Sequence, residues 1–312
     1  MPVSCPPALA PFLDLLRCPT CRAPGLHPAR GALRCAAGHS FDIARHGHVG
    51  LLTGARATSG DDAPMVRARA RFLATGAYEP LRRAAARLAA ARPVERPAER
   101  PAERTTVLDA GCGTGYYLAG VLDRLPGARG LGLDSSARAL RAAARAHDRA
   151  AAASWDVFRP FPLTDGAADV VLDVFAPRNP AEFHRVLRPH GRLIVVRPTP
   201  RHLAELRGRL PGTLSVDPDK ERRLRRALAP FFEATATERV EYGLSLDAAA
   251  ALDLVAMPPS ARHLEPAGIA GRVTVSALAT AYRPRPVTPA SPRTGSTRTS
   301  PPGRAPTPPP AR

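Results

Sequence analysis

Short apolar runs and segments with helical periodicity alternate along the chain from residue 106 onward. The apolar runs have the length of β-strands and lie at 105–110, 129–134, 168–176 and 191–198. Helical segments separate them at 116–125, 136–150 and 179–188. Strands that are apolar at nearly every position are typical of a parallel sheet that is covered on both faces. The pattern therefore predicts an α/β fold.

The last part of this region predicts the far edge of the same sheet. We expect a helix near 219–230, a strand near 236–243, a helix at 245–255 and a strand at 272–283. Two closing strands with a helix between them suit the edge of a mostly parallel sheet. The sheet and its helices would therefore occupy residues 106–283.

The segments before and after the sheet have other patterns. Residues 61–92 read as helical, with Asp62 as a capping residue before Pro64 and a turn at Gly76. The repeat "VERPAERPAERT" reads as a solvated linker. The predicted segments are a flexible N-terminus at 1–16, a cysteine-containing module at 17–53, a helical connector at 54–93, the linker at 94–105 and a disordered basic tail at 284–312.

Composition narrows the class of protein. The chain has 312 residues and five cysteines, four of them before residue 40, which argues against a disulfide scaffold. The first residues lack a basic segment followed by a long apolar run, so we expect no signal peptide. No stretch is apolar enough for a transmembrane span, so we expect a cytoplasmic protein without a membrane partner.

The charge favours a polyanionic partner. There are 45 Lys and Arg against 27 Asp and Glu, for a net charge of +18. A GC-rich genome would explain why nearly all the basic residues are arginines, but not their excess over acids. Such an excess creates a positive field that suits a phosphate backbone, although a merely basic soluble protein stays possible.

Four residues near the N-terminus have the spacing of a zinc site. Cys18 and Cys21 form C-x2-C, and Cys35 and His39 form C-x3-H thirteen residues later. Four soft or borderline ligands complete tetrahedral Zn²⁺ and leave no open position, so the site would be structural. A redox dithiol of the thioredoxin type is the alternative, but that motif requires a βαβ context. The spacing therefore predicts a zinc-binding module that serves recognition.

The run "VLDAGCGTGYY" at 107–117 predicts a cofactor loop. It places Gly111, Gly113 and Gly115 after a strand, and Asp134 ends the next strand, where a carboxylate can bind ribose hydroxyls. A nicotinamide site would have G-x-G-x-x-G instead. The spacing here, with Asp109 before the glycines, resembles the class I (Rossmann-like) S-adenosylmethionine-dependent methyltransferases.

The chain as a whole resembles the RlmA-type 23S rRNA (guanine-N1)-methyltransferases over about residues 17–283. The resemblance rests on the zinc module and on four segments in the family's order: "MVRARARFLATGAYEPL" (65–81), "LDAGCGTGYY" (108–117), "FAP" (175–177) and "PTPRHLAEL" (198–206). It implies a seven-stranded methyltransferase sheet with an N-terminal zinc-ribbon module and a homodimer. It also implies that S-adenosylmethionine contacts Tyr78, Gly113, Thr114 and His202, to which the motif adds Gly111, Gly115 and Asp134.

The reaction that the resemblance implies is methylation of N1 of a guanine in a hairpin loop of domain II of 23S rRNA. The Arg-, Ala- and Pro-rich composition is typical of a GC-rich actinomycete. It therefore favours the Gram-positive subgroup, which methylates guanine 748 and confers resistance to macrolides of the tylosin and mycinamicin type. The RNA-binding role would fall to the zinc module and the arginines.

Neither the general base nor the substrate follows from the residues alone. The segment "FAPRNP" stands where enzymes of exocyclic amines have [DN]-P-P-[FY], which argues against such a substrate. Asp173 is a weak candidate for a base, and Asp109 is better placed to orient the loop. Two other functions stay open: a small-molecule methyltransferase of natural-product biosynthesis, and a non-catalytic RNA-binding protein.

Overall fold

The first part of the chain forms a small antiparallel sheet. The computed structural model describes residues 4–54, 60–91, 105–209, 219–257 and 270–286. A 3-10 turn at Ala10–Phe12 precedes three short strands in the order β1-β2-β3, which are β1 (His27–Ala29), β2 (Ala32–Arg34) and β3 (Ser40–Asp42). We call residues 17–54, which contain this sheet, the ribbon.

Two helices follow the ribbon, as the pattern of residues 61–92 predicts. They are α1 (Ala63–Ala74) and α2 (Glu79–Ala90). The Asp62 side chain accepts a hydrogen bond from the Met65 amide at 3.0 Å and so caps α1. Gly76, with a φ of 76°, turns the chain between the helices.

A seven-stranded sheet forms the centre of the molecule. Its strands are β4 (Thr106–Ala110), β5 (Arg129–Asp134), β6 (Ala150–Ser154), β7 (Ala168–Val174), β8 (Leu187–Pro198), β9 (Phe232–Leu246) and β10 (Gly271–Pro284). The helices between them are α3 (Tyr116–Arg124), α4 (Ala137–Ala143), α5 (Pro180–Val186), α6 (Ala204–Arg209), α7 (Lys220–Leu228) and α8 (Ala248–Ala256).

The strand order confirms a mostly parallel sheet. The order is β6-β5-β4-β7-β8-β10-β9, with β4 to β8 parallel and β10 antiparallel to both of its neighbours. The two closing strands, with α8 between them, lie at the far edge as the sequence pattern predicts. The carboxyl ends of β4, β5 and β7 therefore meet at one end of the sheet, where ligands bind in such folds.

The two faces of the sheet have different covers. On one face, α1, α2, α3 and α8 pack against Val107, Leu172 and Val196. On the other face, the N-terminal segment, the ribbon, α5 and α7 pack against Leu108, Val171 and their neighbours. Helices α1 and α2 are therefore a layer of the methyltransferase fold and not only a connector.

Two expectations are wrong within the described residues. The predicted helix 136–150 ends at Ala143, and the alanines that follow form β6. Alanine favours helices, but these alanines are buried in the sheet, and tertiary packing outweighs that preference. The segment before the ribbon is not flexible from residue 4 onward, because Leu9, Phe12 and Leu16 are fully buried in the core. The predicted linker at 94–104 and most of the tail, from residue 287, lie outside the described residues.

Among the described residues, none of the helices combines the length and apolar composition needed to cross a membrane.

Candidate active site and metal centre

Three cysteines and one histidine converge at one end of the ribbon. Cys18 and Cys21 flank the turn that precedes β1, and Cys35 and His39 flank the turn between β2 and β3. Their ligand atoms all lie within 4.8 Å of one another. The fold therefore brings together the four residues whose spacing in the sequence predicts a zinc site.

The distances within this group suit a tetrahedral zinc ion. Zn–S and Zn–N bonds of usual length imply S–S separations of about 3.8 Å and S–N separations of about 3.5 Å. The Sγ atoms of Cys21 and Cys35 are 3.8 Å apart, and His39 Nδ1 lies 3.4 Å from Sγ of Cys35 and 3.7 Å from Sγ of Cys18. Three thiolates and one imidazole leave no place for a substrate, so the site is a structural one.

The glycine-rich loop joins β4 to α3 at the carboxyl end of the sheet. All three of its glycines have a positive φ, and Thr114 lies half-buried between the last two. A Cβ on Gly115 would lie 2.9 Å from Cβ of Ala146, which explains why the loop requires glycine there. Cys112 is buried against α4 and packs as an ordinary small apolar residue.

Asp134 orients the loop from the end of β5. Its carboxylate accepts the amide hydrogens of Gly113 and Ser136, each at 2.8 Å. A carboxylate has about four lone-pair positions, so acceptor capacity is left for a ligand. Burial, partly offset by these amides and by Arg69, raises the pKa of Asp134 above its usual range.

Asp109 supports the loop from below. It is 2% exposed, and the amide of Leu118 in the first turn of α3 acts to lower its pKa. Burial, together with the negative charges of Asp134 and Asp173, raises the pKa of Asp109 to about 8. Asp109 therefore lies buried beneath the loop, close to two other acids.

Arg69 of α1 lies against the loop, although nothing in its spacing singles it out among the arginines of that helix. Its Nη1 atom would be 3.0 Å from a Cβ on Gly113. Its Nη2 atom pairs with Asp61 at 2.7 Å and donates to the Met257 carbonyl at 3.2 Å. The guanidinium is thus fixed beside the glycines and the Asp134 carboxylate.

Tyr78 and His202, which are 124 residues apart in the chain, contact each other near the same end of the sheet. The Tyr78 hydroxyl lies 3.3 Å from His202 Nε2. His202 Nδ1 accepts the Ser276 amide hydrogen at 3.2 Å, so the ring proton is on Nε2 and is donated to Tyr78. Burial and the charge of Arg207 lower the pKa of His202 to about 4, so the ring is neutral near pH 7.

Phe175 completes an aromatic group at the end of β7. Its ring is stacked on His202 with 5.9 Å between centroids and lies 6.3 Å from Tyr78 and 6.4 Å from Tyr117. The residue has a φ of 53° and is 38% exposed. A non-glycine residue in this conformation is strained, and such strain occurs most often at functional sites.

Two buried polar groups on these elements differ in their partners. The Tyr117 hydroxyl is buried and has no hydrogen-bond partner among the described residues. The Asp173 carboxylate is fully buried and forms an ion pair with Arg178 at 2.9 Å. The Tyr117 hydroxyl beside the loop is therefore available for a hydrogen bond to a ligand. The Asp173 carboxylate is already paired with Arg178.

Comparisons with known proteins agree with both parts of this arrangement. The family described as "RlmA, N-terminal" matches residues 16–56, and the family described as "Methyltransferase domain" matches residues 107–191. The chain is 46% identical to the 23S rRNA (guanine(748)-N(1))-methyltransferase of Streptomyces fradiae, covering 87% of this chain and 97% of that one. It is 48% identical to a protein of Micromonospora griseorubida provisionally named a 23S rRNA (guanine-N1)-methyltransferase, covering 88% of this chain and 99% of that one.

The chain belongs to the RlmA-type 23S rRNA (guanine-N1)-methyltransferases. The resemblance seen in the motifs is therefore confirmed, as are the class I fold and the zinc-ribbon module.

An RlmA-type enzyme takes S-adenosylmethionine, and the fold gathers the residues that the motifs single out for it. The residues that lie together at the ends of β4 and β5 are Gly111, Gly113, Thr114, Gly115 and Asp134. Tyr78 and His202 form a second group, and the ring of Phe175 lies beside it. The sequence reading missed Arg69, Tyr117 and Phe175. Only the position of Phe175, in "FAPRNP" after a strand, could have singled it out.

We expect removal of the metal to expose Trp155, which is the only tryptophan of the chain. Trp155 is 4% exposed and packs in the same core as Cys18 and Cys35. A zinc chelator should release about one zinc ion per chain and shift the tryptophan fluorescence to the red. The Cys5→Ser variant serves as the control, because Cys5 is outside the ligand group, and it should keep both the metal and the emission of wild type. A blue, buried emission after complete zinc loss would mean that the ribbon folds without metal.

We also expect the neutral state of His202 to contribute to stability in a defined pH range. Its pKa of about 4 in the folded protein lies below about 6.5, the value of an unfolded chain. The unfolded state therefore binds more protons as the pH falls through this range, and wild type should lose about 2 to 3 kcal/mol between pH 7.5 and 4.5 from this group alone. The His202→Gln variant lacks this group, so its loss of unfolding free energy should be smaller than that of wild type by about 2 to 3 kcal/mol.

Chemical denaturation of wild type and His202→Gln at the two pH values measures this effect. The two proteins share every other ionisable group, so only the difference between the two pH dependences is read. Equal losses in the two proteins would show that His202 carries no such linkage.

Proposed function

We propose that this protein transfers a methyl group from S-adenosylmethionine to N1 of guanine 748 in a hairpin loop of domain II of 23S rRNA. The observation that carries the proposal is the identity of 46% to the Streptomyces fradiae enzyme, which spans both the ribbon and the methyltransferase domain. Such an enzyme works in the cytoplasm. In an organism that makes macrolides of the tylosin and mycinamicin type, the modification would confer resistance.

The cofactor would lie along the glycine-rich loop. Asp134 is oriented by two amides and would accept the ribose hydroxyls, while Gly111, Gly113, Thr114 and Gly115 would let the ligand approach the backbone. Tyr78, held by His202, would close the site from the side of α2. The orphaned Tyr117 hydroxyl supports the presence of a ligand here.

Arg69 would neutralise the carboxylate of the methionine part. The described end of the sheet is rich in acids, with Asp61, Asp109 and Asp134 close to the loop. A ligand carboxylate that enters such a site requires a cation, and Arg69 is fixed 3.0 Å from the Cβ position of Gly113. An ion pair with Asp61 holds the guanidinium in place before the ligand binds.

When bound, S-adenosylmethionine would supply an electrophilic methyl group on its sulfonium sulfur, which guanine N1 would accept while the sulfur keeps the electron pair of the S–C bond. The N1 proton must leave during this transfer. Both nitrogens of His202 are engaged, Asp173 is paired with Arg178, and Asp109 is buried beneath the loop. We therefore propose that these residues orient groups and that the proton passes to water, so that catalysis rests on positioning.

The partly exposed ring of Phe175 would stack on the target guanine. A loop base must leave its stack to reach an enclosed site, and proteins hold such bases on aromatic side chains. Phe175 is the aromatic residue of this group with the most open face, and it adjoins Tyr78 and His202. The homodimer that the resemblance implies stays a prediction.

We expect the Arg69→Ala variant to bind S-adenosylmethionine about 10- to 100-fold more weakly, because one hydrogen bond to a charged group is worth about 1.5 to 3 kcal/mol. Arg67 lies on the same helix and is exposed, so Arg67→Ala removes the same charge without touching the loop. Calorimetric titration of both variants measures the effect. Equal affinities for the two variants would exclude Arg69 from the cofactor site.

The proposed reaction predicts a single block to reverse transcription. Purified protein is incubated with tritiated S-adenosylmethionine and unmethylated 23S rRNA, and the product is mapped by primer extension, which N1-methylguanine stops. A stop at guanine 748 is the expected result. A stop elsewhere in the loop would correct the position. Label on a small metabolite would indicate the small-molecule alternative, and RNA binding without label would indicate a non-catalytic protein.

A further inference from the structure

Arginines from the ribbon, from α4 and from the turn that follows α4 converge where these parts meet. The turn at 44–48 lies against the end of α4, and a Cβ on Gly47 would be 3.7 Å from Cβ of Ala144. Across this contact, Nη1 of Arg145 donates a hydrogen bond to His46 Nδ1 at 3.1 Å. Arg45 precedes this histidine, and Arg141 lies one turn before Arg145. We call Arg45, Arg141 and Arg145 the arginine cluster.

The three arginines of the cluster all act on His46, and no acid is among the causes of its pKa shift. Desolvation lowers the pKa of His46, and the charges of Arg145, Arg45 and Arg141 lower it further. Among the described residues, none of the three arginines forms an ion pair with a carboxylate. Arginines elsewhere are paired, for example Arg87 with Glu238, Arg185 with Glu182 and Arg197 with Glu221. Like charges that lie together and form no ion pair create a positive potential that attracts anions.

Further arginines extend the positive charge of the cluster, on α4 to one side and on the ribbon to the other. Arg138 lies three residues before Arg141 on the same stripe of α4, and all of these arginines are exposed. On the other side, residues 17–53 contain five arginines and a single acid, Asp42. The positive surface therefore continues from the ribbon onto the methyltransferase domain.

The cluster has a fixed geometry relative to the cofactor loop. Val49 of the ribbon pairs in parallel with Ala153 of β6, so the turn that carries Arg45 is anchored to the sheet by the residue that follows it. Helix α4 begins directly after Ser136, whose amide contacts Asp134. Seven helical residues span only about 10 Å, so the cluster lies near the cofactor loop.

We propose that the arginine cluster binds the phosphate backbone of the rRNA hairpin at the boundary between the ribbon and the methyltransferase domain. This inference rests on the proposed function, because it takes rRNA as the anion. The backbone of RNA offers several phosphates to neighbouring guanidinium groups, and arginine pairs with phosphate through two hydrogen bonds. By holding the backbone at this boundary, the cluster would set the position of the loop guanine above the cofactor.

The test compares the salt dependence of RNA binding in two variants. The first is Arg45→Ala/Arg141→Ala/Arg145→Ala. The control is Arg67→Ala/Arg124→Ala/Arg272→Ala, which removes the same charge from exposed arginines that form no ion pair with described residues. Binding of an unmethylated domain II hairpin is measured by fluorescence anisotropy at several salt concentrations. Calorimetry with S-adenosylmethionine and the zinc content check that each variant is folded.

We expect the slope of log K against log salt to fall in magnitude by about 2 to 3 for the cluster variant, because each lost phosphate contact removes about 0.7 to 0.9. The control should keep the slope of wild type, and both variants should bind S-adenosylmethionine as wild type does. Equal slopes for the two variants, with RNA methylation by wild type intact, would overturn the cluster while leaving the proposed function in place. Absence of RNA methylation by wild type would instead refute the proposed function.

Discussion

The position of the ribbon relative to the methyltransferase sheet depends on backbone pairing between the ribbon and β6. The Val49 amide donates to the Ala152 carbonyl at 3.0 Å, and the Ser154 amide donates to the Val49 carbonyl at 2.9 Å. Strand β6 would otherwise leave one side of its backbone unpaired at the edge of the sheet. Because the ribbon covers this edge, Cys18 and Cys35 share one core with the strands. The free energy of zinc binding therefore stabilises part of the methyltransferase domain as well as the ribbon.

A second constraint is the balance of charge at the carboxyl end of the sheet. Asp109, Asp134 and Asp173 lie close enough for the last two to raise the pKa of the first. Buried acids of this kind must be protonated, paired or bound to a ligand. Arg178 pairs with Asp173, and Arg69 approaches Asp134 from α1. A positively charged sulfonium cofactor suits a site in which acids outnumber the nearby arginines.

The sequence predicted those features that depend on local pattern or on short spacing. The zinc ligands, the cap at Asp62 and the glycine loop are of this kind, because neighbouring residues alone determine them. The antiparallel edge followed from a run of strand, helix and strand. Strand β6 did not follow, since its alanines favour a helix and only burial beneath the ribbon makes them a strand. Arg69 and Tyr117 were missed for a similar reason: their roles depend on contacts between distant segments, which no local pattern records.

The arrangement around Tyr78 and His202 suits the mechanism proposed above, in which positioning and not a general base accelerates methyl transfer. The Ser276 amide fixes the tautomer of His202, and His202 in turn fixes the Tyr78 hydroxyl. Each of these groups is held before any ligand binds, so little reorganisation is required during the reaction. Transfer of a methyl group is chiefly a matter of aligning the nucleophile with the S–C bond. For a large substrate, contacts far from the reacting atoms can provide that alignment. A ribbon locked to the edge of the sheet is suited to this task, because it keeps the arginine cluster proposed to bind RNA at a constant distance from the cofactor loop.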